Sequence, residues 1–209
     1  MPLCPLCLNS SIPFYKDEFY LCSCCEGIFR PAEKLLDNEK EKQRYESHTN
    51  DSNDLGYQNF VAPITNAVLK KFSKDDIGLD FGCGKDSPIV KVLRKNEYEI
   101  LEYDPFFFDD KKLLEKKYDY IACCEVIEHF YNPKKEFELL KKLLKEDGIL
   151  YLMTGIYNST IDFSKWWYKN DSTHVFIFQE KTFEYIKNKF DFKDLKIEKN
   201  FIKLSLEKE

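Results

Sequence analysis

The sequence contains no apolar run approaching the roughly 18 residues that a membrane-spanning helix needs. Its first residues, Met1-Pro-Leu-Cys, lack the basic and then apolar stretches of a secretory signal. Internal repeats and low-complexity segments are also absent. These absences argue against a membrane-spanning or secreted protein, and we expect a cytoplasmic one.

The sequence also lacks a strong excess of either charge. Its 37 acidic residues and 32 lysines and arginines give a net charge of −5, spread over dense Lys/Glu mixtures. Such mixtures are typical of solvated faces, so a nucleic-acid partner is disfavoured. With 43% hydrophobic and 16% aromatic residues among 209, the chain can bury one good core plus a small appendage.

Glycine is scarce, with seven residues, yet Gly82 and Gly84 flank a single small side chain, Cys83. They follow an apolar run that ends in the acidic Asp80. Because glycine tolerates positive φ and carries no Cβ, the backbone here can turn sharply off a strand and lie very close to a ligand. This loop is therefore predicted to contact a small molecule.

Two common phosphate-binding patterns do not fit this loop. The dinucleotide fingerprint needs a third glycine where Ser87 stands, and the phosphate-binding loop needs Ser or Thr where Asp86 stands. The following residues predict a helix from 89 to 93, with a proline in its first turn, and a strand from 98 to 103. The acid after that strand, Asp104, is placed to accept hydrogen bonds from ribose hydroxyls.

In this order, the motifs resemble those of class I S-adenosylmethionine-dependent methyltransferases, over residues 57–209. The matching segments are Asp80–Gly84, Glu102–Asp104, Tyr118–His129 and Leu143–Leu152. The resemblance implies an α/β fold with a doubly wound, mostly parallel Rossmann-like sheet. It also implies S-adenosylmethionine as cofactor, contacted by Asp80, Gly82, Cys83, Gly84, Asp104 and Glu125. A nucleotide-binding fold without methyl transfer is the alternative.

One departure from the family concerns the segment after the second strand. Only residues 105–117 separate Asp104 from the next predicted strand, where the family usually has a helix, a third strand and another helix. We therefore expect the third strand to be short or missing, and no residue can be assigned to the adenine side of the cofactor.

Eight cysteines are present, and four of them form two pairs with zinc-knuckle spacing. The pairs are Cys4 with Cys7 and Cys22 with Cys25. Two such turns can present four thiolates tetrahedrally to zinc, and a closed site of this kind is structural because no position is open for substrate. Cys24 is an alternative to Cys25 as the fourth ligand, and four unrelated reduced thiols are the alternative to a metal site.

Residues 1–30 are accordingly predicted to form a zinc ribbon, with a hairpin of residues 12–15 and 18–21. Thirty residues bury too little surface to fold alone, so metal binding would supply the missing free energy. The ribbon is expected to shape the substrate entrance or to contact a protein partner.

Residues 31–56 are predicted to be a linker with a helix followed by a loop. Aromatic and hydrogen-bonding side chains are gathered here where a lid over the cofactor would lie: Tyr45, His48, Asn50, Asp54 and Tyr57. Tyr57 is a candidate substrate contact. As an alternative, these side chains simply decorate a solvated connection.

Downstream, the pattern of alternating strands and helices is regular. A helix is predicted to begin with Asn132 as its cap and to stop at Gly148, before a strand of residues 149–153. A further helix of residues 182–190 and an antiparallel pair, 191–197 with 201–206, are predicted to follow.

Three candidate metal ligands leave the carboxyl end of one predicted strand: Glu125, Glu128 and His129. Offsets of three and four residues bring them together if the chain turns helically. Carboxylates and imidazole suit magnesium, manganese or iron. The Glu-x-x-Glu-His pattern resembles the metal-binding motif of small-RNA 3′-terminal 2′-O-methyltransferases and of ubiquinone-biosynthesis O-methyltransferases, which implies a later histidine, here His174, as fourth ligand.

Without a metal, His129 or His174 is a candidate general base, since imidazole titrates near neutral pH. Three aromatic residues precede His174 and are predicted to form a substrate wall, with core packing as the alternative: Trp166, Trp167 and Tyr168.

These observations predict an O-methyltransferase that acts on a small hydroxylated molecule, assisted by a divalent ion that aligns and activates the hydroxyl. Its predicted catalytic residues are Glu128, His129 and His174. Methylation of RNA ribose is a second hypothesis. A catalytically silent cofactor sensor that recruits a protein through the ribbon is a third.

Overall fold

The computed structural model describes residues 1–46 and 51–208, so two predicted lid residues, His48 and Asn50, lie outside the described residues. Six α-helices are present in that part of the chain: α1 (Asn38–Glu46), α2 (Leu55–Phe60), α3 (Ala62–Lys71), α4 (Pro88–Lys95), α5 (Pro133–Leu143) and α6 (Glu180–Lys189). The predicted boundary of the methyltransferase domain, residue 57, falls inside α2.

Ten strands form two sheets in the described residues. The strands are β1 (Ser11–Tyr15), β2 (Phe19–Cys22), β3 (Ile28–Phe29), β4 (Ile77–Phe81), β5 (Glu99–Tyr103), β6 (Tyr118–Cys124), β7 (Leu144–Met153), β8 (Phe176–Ile177), β9 (Asp194–Glu198) and β10 (Phe201–Ser205). The larger sheet has the order β5-β4-β6-β7-β10-β9, and the smaller one the order β1-β2-β3-β8.

The larger sheet confirms the predicted α/β architecture. Strands β5, β4, β6 and β7 run parallel, and β10 pairs antiparallel with both β7 and β9. Residues 105–117 contain a short 3-10 helix, Lys111–Glu115, and no strand, as expected for a missing third strand. The parallel strands therefore all end at one edge, where ligands bind in open α/β sheets.

Alternate residues of β6 face two helical layers. Ile121 and Cys123 pack with buried residues of α5 and α6, whereas Tyr120 and Ala122 pack with buried residues of α3 and α4. This period of two is what a strand covered on both faces requires. The described residues include no helix of the length and apolar character needed to cross a membrane.

Helix starts follow the sequence signals, but one helix end does not. Ser87 and Asn132 cap α4 and α5 through their side chains, each with a proline in the first turn. The prediction that Gly148 stops α5 is wrong, because the helix ends five residues earlier at Leu143. Leu144 already has an extended backbone, with φ −78° and ψ 144°, and begins β7.

The smaller sheet joins the first thirty residues to the rest of the chain. Strands β1 and β2 form the predicted hairpin around Lys16 and Asp17. Strand β3 then pairs antiparallel with β8, with Phe29 opposite Phe176. Because β8 begins two residues after His174, the cysteine-containing segment lies against the loop that carries this histidine.

Candidate active site and metal centres

A cavity of about 1040 Å³ opens at the carboxyl ends of the parallel strands. Nine residues predicted as site residues line it: Tyr57, Asp80, Gly82, Cys83, Asp104, Glu125, His129, Trp167 and His174. A volume near the upper end of the usual ~300–1,000 Å³ range accommodates a cofactor and a small substrate together. Most of the other lining residues, such as Phe106, Phe107 and Phe130, were not predicted as site residues.

The glycine loop turns in the left-handed region, with φ of +81° at Gly82 and +66° at Gly84. The amides of Gly82 and Cys83 both donate to the Tyr103 carbonyl, at 2.8 and 3.2 Å. A Cβ on Gly82 would lie 2.5 Å from a methyl carbon of Val126. Glycine is therefore required here by the backbone conformation and by Val126, and not only by the close approach of a ligand.

The two aspartates near this loop hold its backbone. Asp104 accepts hydrogen bonds from the amides of Gly84, Phe106 and Phe107, at 3.0, 2.9 and 3.2 Å. Asp80 is buried and accepts a hydrogen bond from the Ser87 hydroxyl at 2.5 Å. Burial raises the pKa of Asp80 to about 7.

The segment after β6 turns tightly. Glu125 has a positive φ of +52°, which is uncommon for a residue with a side chain, and its amide donates to the Met153 carbonyl at 2.8 Å. Residues Ile127–His129 form a 3-10 turn. Backbone strain of this kind is concentrated at functional sites.

Three of the four predicted ligands of the second metal converge. One carboxylate oxygen of Glu128 and one ring nitrogen each of His129 and His174 all lie within 4.8 Å of one another. Glu125 is not part of this group, although burial and the neighbouring Glu128 carboxylate raise its pKa to about 9. The structure therefore supports Glu128, His129 and His174 as ligands of one ion, and it does not place Glu125 with them.

Both imidazoles are oriented by backbone carbonyls. Nδ1 of His129 lies 2.9 Å from the Thr173 oxygen, and Nδ1 of His174 lies 2.7 Å from the Tyr168 oxygen. A carbonyl can only accept, so each Nδ1 carries the proton and each Nε2 carries the lone pair. This is the arrangement usual for metal-ligating histidines, whose second nitrogen donates to an acceptor. Burial lowers the pKa of His174, which favours its neutral form.

The Glu128 carboxylate is fully buried between two hydroxyls. Tyr168 donates to one oxygen at 2.6 Å and Thr154 to the other at 3.0 Å. Thr154 directly follows β7 at the same edge of the sheet, a position that could have marked it in the sequence. These hydrogen bonds fix the direction in which the carboxylate presents its remaining lone pairs.

The predicted aromatic wall is only partly present. Trp167 is 70% exposed and lines the cavity. Trp166 packs against Tyr157 and Phe163 instead, and Tyr168 is buried against Glu128. The prediction of a substrate wall is therefore corrected for Trp166 and Tyr168, because apolar contacts and a buried acceptor compete for these side chains.

Helix α1, which lies in the segment predicted to contain a lid, contacts His129. The Tyr45 ring packs edge-on against His129 and at 5.4 Å from Phe106. Arg44 forms an ion pair with Asp171 at 2.7 Å, which joins α1 to the loop before His174. Asp54 and Tyr57 also line the cavity.

The four predicted zinc ligands form a second cluster, away from the cavity. The Sγ atoms of Cys4, Cys7, Cys22 and Cys25 all lie within 4.8 Å of one another. Cys25 is buried in this group, whereas Cys24 is exposed and outside it. The structure therefore favours Cys25 over Cys24 as the fourth member, and a set of four sulfur atoms at this spacing fits a tetrahedral zinc ion.

Comparison with known proteins bears on the fold and the family. The sequence model of a family described as "Methyltransferase domain" matches residues 55–197. Over 39 residues the chain is 49% identical to the ubiquinone biosynthesis O-methyltransferase of Glaesserella parasuis serovar 5 (strain SH0165). This stretch is 19% of the chain and 16% of that protein, so the chain aligns with only a small part of that relative.

Solved methyltransferases share the fold at low sequence identity. A S-adenosylmethionine-dependent methyltransferase from Archaeoglobus fulgidus has a TM-score of 0.53 at 19% identity, over 78% of this chain and 77% of that chain. Haemonchus contortus phosphoethanolamine N-methyltransferase 2, in complex with S-adenosyl-L-methionine, has a TM-score of 0.54 at 14% identity, over 82% of this chain and 47% of that chain. Because the family model covers more than half of the chain, the chain belongs to the methyltransferase-domain family, as the resemblance to S-adenosylmethionine-dependent methyltransferases predicted.

Proposed function

We propose that the chain is a S-adenosylmethionine-dependent O-methyltransferase for a small hydroxylated molecule, assisted by a divalent ion. The observation that carries this proposal is the convergence of Glu128, His129 and His174 within 4.8 Å, beside the cavity that the glycine loop lines. Carboxylate and imidazole donors of this kind suit magnesium, manganese or iron.

The cofactor would occupy the part of the cavity near the glycine loop. S-adenosylmethionine supplies the electrophilic methyl group when it is bound. Asp104 lies at the carboxyl end of β5, where its oxygens can accept from ribose hydroxyls while they hold the Gly84 amide. Asp80 and Glu125 also line the cavity. Burial raises the pKa of both carboxyl groups, and the sulfonium charge of a bound cofactor would favour their ionised forms.

The substrate hydroxyl would lie beside the histidines. A divalent ion held there by Glu128, His129 and His174 would lower the pKa of that hydroxyl. Backbone carbonyls direct the two imidazoles, and two buried hydroxyls direct Glu128, so these donors need little rearrangement. The Tyr45 ring covers His129 and would exclude water from the reacting atoms.

The cysteine cluster has a separate proposed role. Cys4, Cys7, Cys22 and Cys25 would hold a structural zinc ion, because four thiolates leave no open position for substrate. The ion would stabilise the first thirty residues against the loop before β8 and so contribute to the shape of the cavity.

The test compares Glu128→Gln with Glu138→Gln, an exposed glutamate of α5. Loss of the buried carboxylate should weaken Mn²⁺ binding at least tenfold and abolish any Mg²⁺ or Mn²⁺ dependence of methyl transfer. Binding of S-adenosylhomocysteine should stay unchanged, and Glu138→Gln should match the wild-type protein. Mn²⁺ binding is measured by electron paramagnetic resonance, and turnover on a panel of vicinal hydroxylated compounds.

Two results would contradict parts of this proposal. Methylation that proceeds equally with and without divalent ions would exclude a role of the metal in the reaction and favour His129 as a general base. Failure of the folded protein to bind S-adenosylhomocysteine at millimolar concentration would contradict the proposed methyltransferase activity itself.

A further inference from the structure

The loop from Tyr168 to His174 supplies three kinds of contact to the proposed metal centre: a ring, two carbonyls and a hydroxyl. It provides the His174 ring, and its carbonyls at Tyr168 and Thr173 accept from the two imidazoles. The Tyr168 hydroxyl also donates to Glu128. The positions of all three proposed ligands therefore depend on this one loop.

Arg30, at the end of the cysteine-containing segment, holds the same loop. Its Nη2 donates to the Lys169 carbonyl at 2.9 Å, and its Nε donates to the His174 carbonyl at 3.2 Å. The side chain is only 11% exposed, and the guanidinium lies 4.3 Å above the Phe19 ring, with Glu18 at 3.7 Å. One planar group from the ribbon therefore spans the loop from one end to the other.

The backbone continues this connection. The Arg30 amide donates to the Val175 carbonyl at 2.9 Å, and the Val175 amide donates to the Glu128 carbonyl at 2.9 Å. Strand β3, immediately before Arg30, pairs with β8 immediately after Val175. Backbone hydrogen bonds thus link Arg30, at the end of the cysteine-containing segment, to the turn that carries Glu128 and His129.

We propose that Arg30 is a positioning residue for the carboxylate–histidine centre, and that the ribbon is in this way a structural part of the active site. This inference rests on the proposed function for the identity of that centre. Arg30 acts through the carbonyls of the 168–174 loop and touches none of the three proposed ligand side chains. Arginine suits this role because its donors are fixed in one plane, which the single ammonium group of lysine cannot reproduce.

The experiment uses the full chain with its zinc, in three forms: wild type, Arg30→Met and Arg30→Lys. Nitrogen NMR of the imidazoles reports their tautomers without added divalent ions, and the chain has only three histidines to assign. We expect Nδ1-protonated rings at positions 129 and 174 in the wild type and a mixture of tautomers in Arg30→Met. We also expect Mn²⁺ affinity to fall by about tenfold, as for other residues that orient metal ligands.

Two further measurements separate positioning from folding. Zinc content and affinity for S-adenosylhomocysteine should be retained in Arg30→Met, and Arg30→Lys should lie between the wild type and Arg30→Met. Lys181→Met is the matched control, because Lys181 pairs with Glu26 at 2.7 Å and also joins the ribbon to the rest of the chain, but not to this loop. It should leave the tautomers and Mn²⁺ affinity unchanged.

Unchanged tautomers together with unchanged Mn²⁺ affinity in Arg30→Met would overturn the inference, as would an equal effect of Lys181→Met. If the wild-type protein binds no Mn²⁺, the metal part of the proposed function fails. The tautomers alone then decide whether Arg30 positions the two histidines.

Discussion

At the scale of single residues, two buried carboxylates have different surroundings. Glu128 accepts hydrogen bonds on both carboxylate oxygens, whereas Asp80 accepts a hydrogen bond from one hydroxyl, that of Ser87. The hydrogen bond to Ser87 offsets only part of the burial of Asp80, whose pKa is raised to about 7. Folding therefore favours the protonated form of Asp80.

The consequence is a specific dependence of stability on pH. Because its pKa is higher in the folded protein than in the unfolded chain, Asp80 contributes stability that is complete below about pH 4 and lost as pH rises through about 7. We expect Asp80→Asn to remove this loss. The free energy of unfolding of the variant should therefore increase, relative to that of the wild-type protein, between pH 5 and 8. The gain should be on the order of a few kcal/mol, at about 1.4 kcal/mol per pKa unit.

Denaturant unfolding of the cofactor-free protein at several pH values measures this difference. Asp75→Asn, at an exposed aspartate in the turn before β4, serves as the control and should follow the wild-type profile. Parallel pH profiles for Asp80→Asn and the wild type would show that Asp80 titrates normally.

At the scale of elements, the loop after β4 packs closely against the loop after β6. Gly82 leaves room for Val126, and the Gly84 amide is held by Asp104 after β5. The ends of three strands are thus joined through one short stretch of backbone. A change in any of the three loops should be felt in the cofactor part of the cavity.

Gly82→Ala tests this arrangement. Its Cβ would lie within 2.5 Å of Val126 and at a φ of +81°, so the loop has to move and cofactor affinity should fall at least tenfold. The double variant Gly82→Ala with Val126→Ala removes the two methyl groups that collide with the new Cβ, leaves the Cβ of residue 126 at 3.2 Å, and keeps the unfavourable φ. It should recover thermal stability more than it recovers binding of S-adenosylhomocysteine, as measured by calorimetry.

Recovery of both properties to the same extent would show that only the contact with Val126 matters. Wild-type affinity in the single variant would exclude the glycine loop from cofactor binding.

At the scale of the whole molecule, the cysteine-containing segment is not an independent appendage. Its sheet is completed by β8, and its Cys4, Leu6 and Phe29 belong to the same buried cluster as residues of α5 and α6. Loss of the proposed zinc ion should therefore destabilise the entire protein and not only its first thirty residues.

A comparison of two adjacent cysteines tests this expectation. Cys25→Ser removes a buried member of the cluster, whereas Cys24→Ser changes an exposed thiol outside it. We expect Cys25→Ser to lose bound zinc and to melt roughly 10 °C lower, since each kcal/mol shifts the Tm of a domain this size by about 2–4 °C. Cys24→Ser should keep one zinc ion per chain and the wild-type Tm.

Elemental analysis and scanning calorimetry give the two readouts. Loss of zinc from Cys24→Ser and not from Cys25→Ser would identify Cys24 as the fourth zinc ligand in place of Cys25. Absence of zinc from the wild-type protein would contradict the proposed structural metal site.

Local sequence signals predicted the parts of the site that depend on neighbours along the chain. The strand, glycine loop and acid around Asp80, the pairs of cysteines, and the turn from Glu125 to His129 are all defined by short spacings. His174 was found because the resemblance to metal-dependent methyltransferases implies a later histidine.

The remaining contacts join residues that are far apart in sequence. Arg30 meets a carbonyl 144 positions away, and Tyr168 meets Glu128 40 positions away. No periodicity or spacing marks such pairs, because they exist only after two separate segments have packed together. For the same reason, the positions of Trp166 and Tyr168 could not be predicted. An aromatic side chain can either line a cavity or be buried, and only the packing of distant segments decides between the two.

The pairing of β3 with β8 also constrains how this protein is made. On a ribosome, Phe29 emerges long before its partner Phe176 has been synthesised. At about 5–20 residues per second, the early strand waits on the order of 10 s with its edge uncovered. The proposed zinc ion, bound to the cysteine cluster during that interval, would hold the hairpin of β1 and β2 together. Zinc supply during synthesis is therefore expected to affect the yield of correctly assembled protein.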